Sequence, residues 1–203
     1  MCSSGTDLVS FSDDVLRLEI CGPSQEHLSV IDVPGIFKKT TQGSTTKADM
    51  LMVRNMVHGY MKNPRSVMLA VVPANVDIAT QEILEMAEEV DPDGHRTIGV
   101  LTKPDLVDKG AENSVVELIK GRRHQLTLGW YVVKNPGQSQ VPNSVKERLA
   151  LEDAFFKGEM PWNRLDRDRL GVNSLRIRLQ EILAKHIRRE FPKVRVSPAT
   201  LCE

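Results

Sequence analysis

Two short strings in this chain have the residue types and spacing to handle a phosphorylated ligand. Asp32-Val33-Pro34-Gly35 follows the apolar run Leu28-Ser29-Val30-Ile31, and Thr102-Lys103-Pro104-Asp105 follows Thr97-Ile98-Gly99-Val100-Leu101 about 70 residues later. An aspartate at the carboxyl end of a buried strand, in the pattern D-x-x-G, can hold a magnesium ion through a water. The glycine lets the backbone approach closely enough for its N–H to meet a terminal phosphate. In the pattern [NT]-K-x-D, the aspartate can accept two hydrogen bonds from the N1–H and exocyclic amine of guanine. Adenine cannot supply that pair, and the lysine stem lies across the base face. Such a site rejects the wrong base by leaving buried polar groups unpaired. By chance alone D-x-x-G occurs about once in a chain this long, and [NT]-K-x-D in only about one such chain in ten or twenty. Their order, and their shared place after apolar runs, make coincidence a poor explanation of both.

Loops of this kind need strands to hold them. The pattern predicts strands at Val15 to Ile20, Leu28 to Ile31, Val67 to Val72, Thr97 to Leu101 and Trp130 to Val133. Cys21-Gly22-Pro23-Ser24 reads as a turn, and the Gly- and Thr-rich segment Lys38 to Thr46 as mobile. A helix follows, with Thr46 and Asp49 forming a capping box and Met50, Val53, Val57 and Met61 an apolar stripe. The methionines there fill a core. Further helices are expected at Ala79 to Val90, closed by Asp91-Pro92-Asp93-Gly94, and at Glu112 to Lys120, burying Val116 and Ile119. Strands alternating with helices, with ligand residues at strand carboxyl ends, make a doubly wound α/β sheet. Beyond it lie a charged helix from Asn143 to Lys157, carrying Val145, Leu149 and Phe156, and a loop around Pro161. A long helix capped by Asn173 runs to about Glu190 and is stopped by Pro192. It places Leu175, Leu179, Ile182, Leu183 and Ile187 on one face, with Arg176, Arg178, Lys185, Arg188 and Arg189 mostly on the other.

From Phe11 to Gln138 the chain resembles the GTPase domain of the dynamin superfamily, particularly its fungal and Mx-type branches. The resemblance is carried by LSVIDVPGIF at 28–37, VPANVDIATQEILEMAEEVDPDGHRTIGVLTKPDLVDKG at 72–110 and WYVVKNPGQ at 130–138. It implies nucleotide-binding roles for Asp32, Val33, Pro34, Gly35 and Ile36, for Thr102, Lys103, Pro104 and Asp105, and for Asn135 and Gln138. Pro136 stands where the family usually has an arginine. The resemblance further implies a P-loop NTPase-type three-layer sheet, with residues 1–165 a partial G domain and 166–203 leading toward a helical bundle or stalk. GTP with Mg2+ would be the substrate, Asp32 holding the metal through a water. Implied partners are self-association or a full-length dynamin-like relative. Through the parent protein they include membranes, in fission, or microtubules.

Several expected features are missing. Phosphate cradling needs G-x-x-x-x-G-K-[ST] between a strand and a helix. Among thirteen glycines only Gly94 and Gly99 have the spacing, and Val100-Leu101 follow them. The family's phosphate loop and its magnesium-contacting threonine would both lie before Met1. The strand bearing that loop is central in such sheets, so without it two neighbours have unpaired edges. Ile36 stands where Ras-type GTPases place the glutamine that orients the attacking water, and no general base is assigned.

Composition sets the remaining bounds. Net charge is zero, which gives no basic field for nucleic acid. Cys2, Cys21 and Cys202 form no metal or disulfide pattern, and the five histidines form no ligand pair at helical spacing. With no apolar run of membrane-spanning length and no signal pattern, the expected location is cytoplasmic, peripheral at organelle membranes. Two readings stand: part of a GTP-hydrolysing dynamin-type protein, inactive or weakly binding as this isolated chain, or a non-catalytic protein-interaction module. A complete GTPase with its phosphate site elsewhere is opposed by the glycine pattern.

Overall fold

A computed structural model describes residues 11–12, 14–23, 29–36, 45–137, 142 and 144–194, and divides the chain into two compact units, Met1–Pro64 and Arg65–Glu203.

The first unit contains helix α1 (Lys47–Met61). Its predicted capping box is present: the Asp49 N–H donates to Thr46 Oγ1 at 3.2 Å, and the Thr46 N–H donates to Asp49 Oδ2 at 2.7 Å. Two otherwise unpaired donors of the first turn are satisfied in this way, worth about 1 kcal/mol. The stripe buries Val53, Val57 and Met61, while Met50 is only half-buried.

The predicted strands at Val15 to Ile20 and before Asp32 are not formed. Leu16, Leu18 and Ile20 are about four-fifths exposed (84%, 81% and 79%), as is Val30 (81%). The alternation offers one apolar face. A strand, however, is stable only when a neighbour pairs its N–H and C=O groups and something covers that face, and the described residues of this unit supply neither. Leu28, Phe37 and residues 38–44 of the expected mobile segment lie outside the described residues.

The second unit is built on three parallel strands in the order β1-β2-β3: β1 (Met68–Pro73), β2 (Thr97–Thr102) and β3 (Trp130–Val132). Helix α2 (Glu82–Val90) joins β1 to β2, and α3 (Glu112–Ile119) joins β2 to β3. Helices α4 (Val145–Gly158) and α5 (Gly171–Val194) complete it. Central strand β2 is covered on both faces, so it reads as a continuous apolar run without alternation. On one side Leu101, Trp130 and Val132 pack with Val115, Val116 and Ile119 of α3 and Phe156 of α4. On the other, Ile98, Val100, Tyr131 and Val133 pack with Leu175 and Ile182 of α5. Each fully buried apolar side chain contributes roughly 1.5–3 kcal/mol. The result is the expected α/β architecture, helix–sheet–helix over β2 and β3. Edge strand β1 is less protected, with Leu69 and Val71 43% and 52% exposed.

Four local expectations shift. Residues Ile78–Thr80 form a 3-10 turn capped by Asp77, and α2 begins only at Glu82. Helix α4 begins at Val145 behind a Ser144 cap, and Val145 is exposed rather than packed. Helix α5 begins at Gly171, before Asn173, because a carboxylate from α4 accepts the Val172 N–H. It also continues through Pro192 to Val194, and Ile187 is 51% exposed. The packed stripe of α5 therefore covers its first turns only.

Tyr131 makes one consequence of this packing measurable. Burial raises its phenol pKa, opposed by the Arg169 guanidinium lying 5.3 Å from the ring centroid. An acid whose folded pKa is raised contributes its full stability below the unfolded value of about 10 and loses it as pH climbs through the folded pKa. Urea midpoints taken from pH 8 to 11 should fall more steeply for the native chain than for Tyr131→Phe.

Candidate nucleotide-binding site

Parallel strands β2 and β3 end side by side, Leu101 opposite Val132, so the loops leaving their carboxyl ends are neighbours. The first is Thr102-Lys103-Pro104-Asp105. Thr102 closes β2, and its carbonyl accepts the Ala74 N–H at 2.7 Å, which ties the loop to the end of β1. Lys103 is left-handed (φ 55°, ψ 48°), a conformation that costs a non-glycine residue about 1–3 kcal/mol and concentrates at functional sites. Buried Pro104 then opens a 3-10 turn, Pro104–Leu106, closed by the Leu106 N–H donating to the Lys103 carbonyl at 3.1 Å. That sharp reversal leaves the Asp105 carboxylate, 34% exposed, at the rim of the sheet.

The second loop follows β3. The Lys134 N–H donates to Glu152 Oε1 of α4 at 2.8 Å, and Asn135 next to it is exposed. The Lys134 ammonium lies 4.0 Å from Asp105 Oδ2 and 5.4 Å from the Phe155 ring centroid. The structure thus brings the Asp105 loop and the Asn135 loop to one place. An exposed carboxylate with two acceptor oxygens is complementary in kind to the donor pair on the edge of guanine.

The remaining site residues stand differently. Asp32, Val33, Pro34, Gly35 and Ile36 belong to the first unit, where Asp32 and Gly35 are exposed on chain without regular structure. Gln138 lies outside the described residues. Among the described residues no three His, Cys, Asp or Glu side chains cluster as a metal site. A lone exposed carboxylate fits magnesium held mainly by substrate phosphates and water, the usual habit of that ion.

The two glycines with phosphate-loop spacing have structural tasks. Gly94 takes φ +62° in the turn before β2, where the Asp91 carboxylate accepts the His95 and Arg96 N–H groups and the Thr97 hydroxyl. Gly99 sits inside β2 against the Trp130 ring.

Glu152 escaped the sequence reading. It follows Val145 and Leu149 and precedes Phe156 at three- and four-residue spacing, so it occupies the inward face of α4. A carboxylate at such a position signals a buried acceptor with backbone partners.

The chain is similar to known proteins along most of its length. The dynamin family model matches residues 2–104, and the dynamin central region model matches residues 114–199. The interferon-induced GTP-binding protein Mx2 of Oncorhynchus mykiss is 39% identical over 190 residues, covering 92% of this chain and 30% of that protein. Mx1 of Equus caballus is 40% identical over 189 residues, covering 91% of this chain and 28% of that protein. Mx of Perca fluviatilis is 40% identical over 162 residues, covering 79% of this chain and 54% of that protein. The chain spans about 30% of the length of the first of these relatives. With half of its residues matched by one family model, and most of the rest by the model for the following region, the chain belongs to the dynamin family.

Proposed function

We propose that this chain carries the base-reading part of a GTP site that, in a complete dynamin-type protein, binds and hydrolyses GTP to drive mechanical work on membranes or self-assembled scaffolds. The observation that supports this most is Asp105. Its carboxylate stands open at the end of β2, on a left-handed turn, beside the loop that carries Asn135. Guanine recognition would fall to Asp105, Lys103 and Asn135, with Thr102 and Pro104 fixing the turn. Asp32 and Gly35 would serve the magnesium ion and the terminal phosphate, and Val33, Pro34 and Ile36 would shape that segment. The location proposed is cytoplasmic, at the periphery of organelle membranes; among the described residues no helix is long and apolar enough to cross one.

By itself the chain should bind weakly. A phosphate loop contributes about four or five charge-assisted hydrogen bonds of roughly 1.5–3 kcal/mol each, so lacking one weakens phosphate binding by about four orders of magnitude or more. Base contacts worth on the order of 4 kcal/mol correspond to a Kd near the millimolar range. Incubating the chain with Mg2+ and GTP should release no phosphate above buffer, and titration should show no saturation at micromolar nucleotide. Micromolar binding with turnover would falsify this assignment of weakness.

A second reading, a non-catalytic module that associates with itself or with a longer relative, is favoured by the apolar side chains left exposed on β1. The size of the endogenous product separates the two. An antibody against 91–110 that detects a band several times 22.7 kDa supports the GTPase reading, whereas a single band near 22.7 kDa supports the module.

A further inference from the structure

The geometry points to Glu152 of α4 as a positioning residue for guanine recognition, an inference that rests on Asp105 being the base-reading carboxylate. Glu152 is 6% exposed, and its two oxygens are used on different segments. Oε1 accepts the Lys134 N–H at 2.8 Å, and Oε2 accepts the Val172 N–H at 2.9 Å. A buried carboxylate is tolerable only when bonded in this manner, and the bonds fix whatever backbone donates them. Lys134 is the residue that joins β3 to Asn135. Its ammonium in turn lies 4.0 Å from Asp105 and 5.4 Å from the ring centre of Phe155, which follows Glu152 on the same helix by three residues. Helix α4 therefore holds Lys134 by its N–H and by its charged end, and through Lys134 it sets both the Asn135 loop and the neighbour of Asp105. Gly171 permits the close approach of α5: it takes φ +82°, and a Cβ there would stand 3.2 Å from Glu152 Oε2.

The test compares GMP with IMP, which lacks the exocyclic amine, by NMR titration of the full chain and of Glu152→Gln. A glutamine keeps the size of the side chain but can accept at only one end, setting its NH2 against the other N–H. The native chain should prefer GMP by about tenfold, and Glu152→Gln should reduce that preference to about threefold or less. In the same variant the amides of Lys134 and Val172 should exchange about tenfold faster, while the amides in the middle of α2 remain unchanged. Full preference retained in a folded Glu152→Gln overturns the proposal, even if exchange quickens. So does unfolding of both Glu152→Gln and Glu152→Asp, because the residue then supports the whole unit. A native chain that does not distinguish GMP from IMP overturns the base-reading role of Asp105 itself, and that result is visible before any variant is made.

Discussion

Asp105→Asn should convert this chain from a guanine binder to a xanthine binder. Guanine offers two donors along one edge, N1–H and the exocyclic amine, and the proposed role of Asp105 is to meet them with the two acceptors of its carboxylate. Xanthine keeps N1–H but replaces the amine with a carbonyl, which opposes a carboxylate oxygen. An asparagine accepts from N1–H with its own carbonyl and donates to the xanthine oxygen from its NH2, so the match is inverted. Each hydrogen bond to a charged group is worth about 1.5–3 kcal/mol, so the ratio of GMP to XMP affinity should swing by about a hundredfold or more. The exchange should not disturb the fold. The carboxylate is one-third exposed, and its ionic neighbour Lys134 retains the Phe155 ring and the backbone bond to Glu152. NMR titration at millimolar nucleotide gives the measurement: GMP should shift the native amides near Asn135 and XMP should not, with the reverse in the variant. Identical behaviour of GMP and XMP in both proteins would remove Asp105 from base recognition.

How far the sequence could be read depended on whether local pattern or distant partners decided each element. Strand β2 is covered from both sides, so its apolar run TIGVLT is continuous, and the motif at its end stood out against it. The capping box of α1 was equally legible, since both partners lie within one turn. The stretch from Val15 to Ile20 has the right alternation yet forms no strand, because pairing is a property of a neighbour and none is described for it. Asn173 looked like a helix cap by type, but a carboxylate nineteen positions before Gly171 serves the Val172 N–H and moves the start of α5 forward. Glu152 was hidden for the same reason. Its spacing from Leu149 and Phe156 places it on the inward face of α4, but the backbone donors it serves, Lys134 and Val172, arrive from elsewhere in the chain. In the candidate site, the motifs single out Asp105 and Asn135, and the structure adds the Lys134–Asp105 ion pair that joins their loops, which no motif signals.

Gly99→Ala should strongly destabilise the second unit. Gly99 lies opposite Trp130 in the parallel register of β2 and β3, and its N–H donates to the Gly129 carbonyl at 3.1 Å. A methyl group there would collide with three atoms of the indole ring. That ring is 1% exposed, among the largest fully buried side chains, and its N–H donates to the His124 carbonyl at 2.8 Å. It can neither retreat into solvent nor tilt without breaking that bond. Overpacking typically costs about 1–3 kcal/mol, and a clash with a ring pinned from behind belongs at about 3 or above, against a total stability of about 5–15 kcal/mol. The melting temperature should fall by about 10 °C, and tryptophan emission should move to the red. Gly110→Ala provides the contrast: it has φ +98° but nothing within 4 Å of the added carbon, so it bears only the backbone strain, of order 1 kcal/mol. Because the penalty of Gly99→Ala comes from one contact, adding Trp130→Leu should recover part of it, a coupling that a double-mutant cycle reads directly. Strict additivity of the two changes would mean that Gly99 is required for some reason other than the ring.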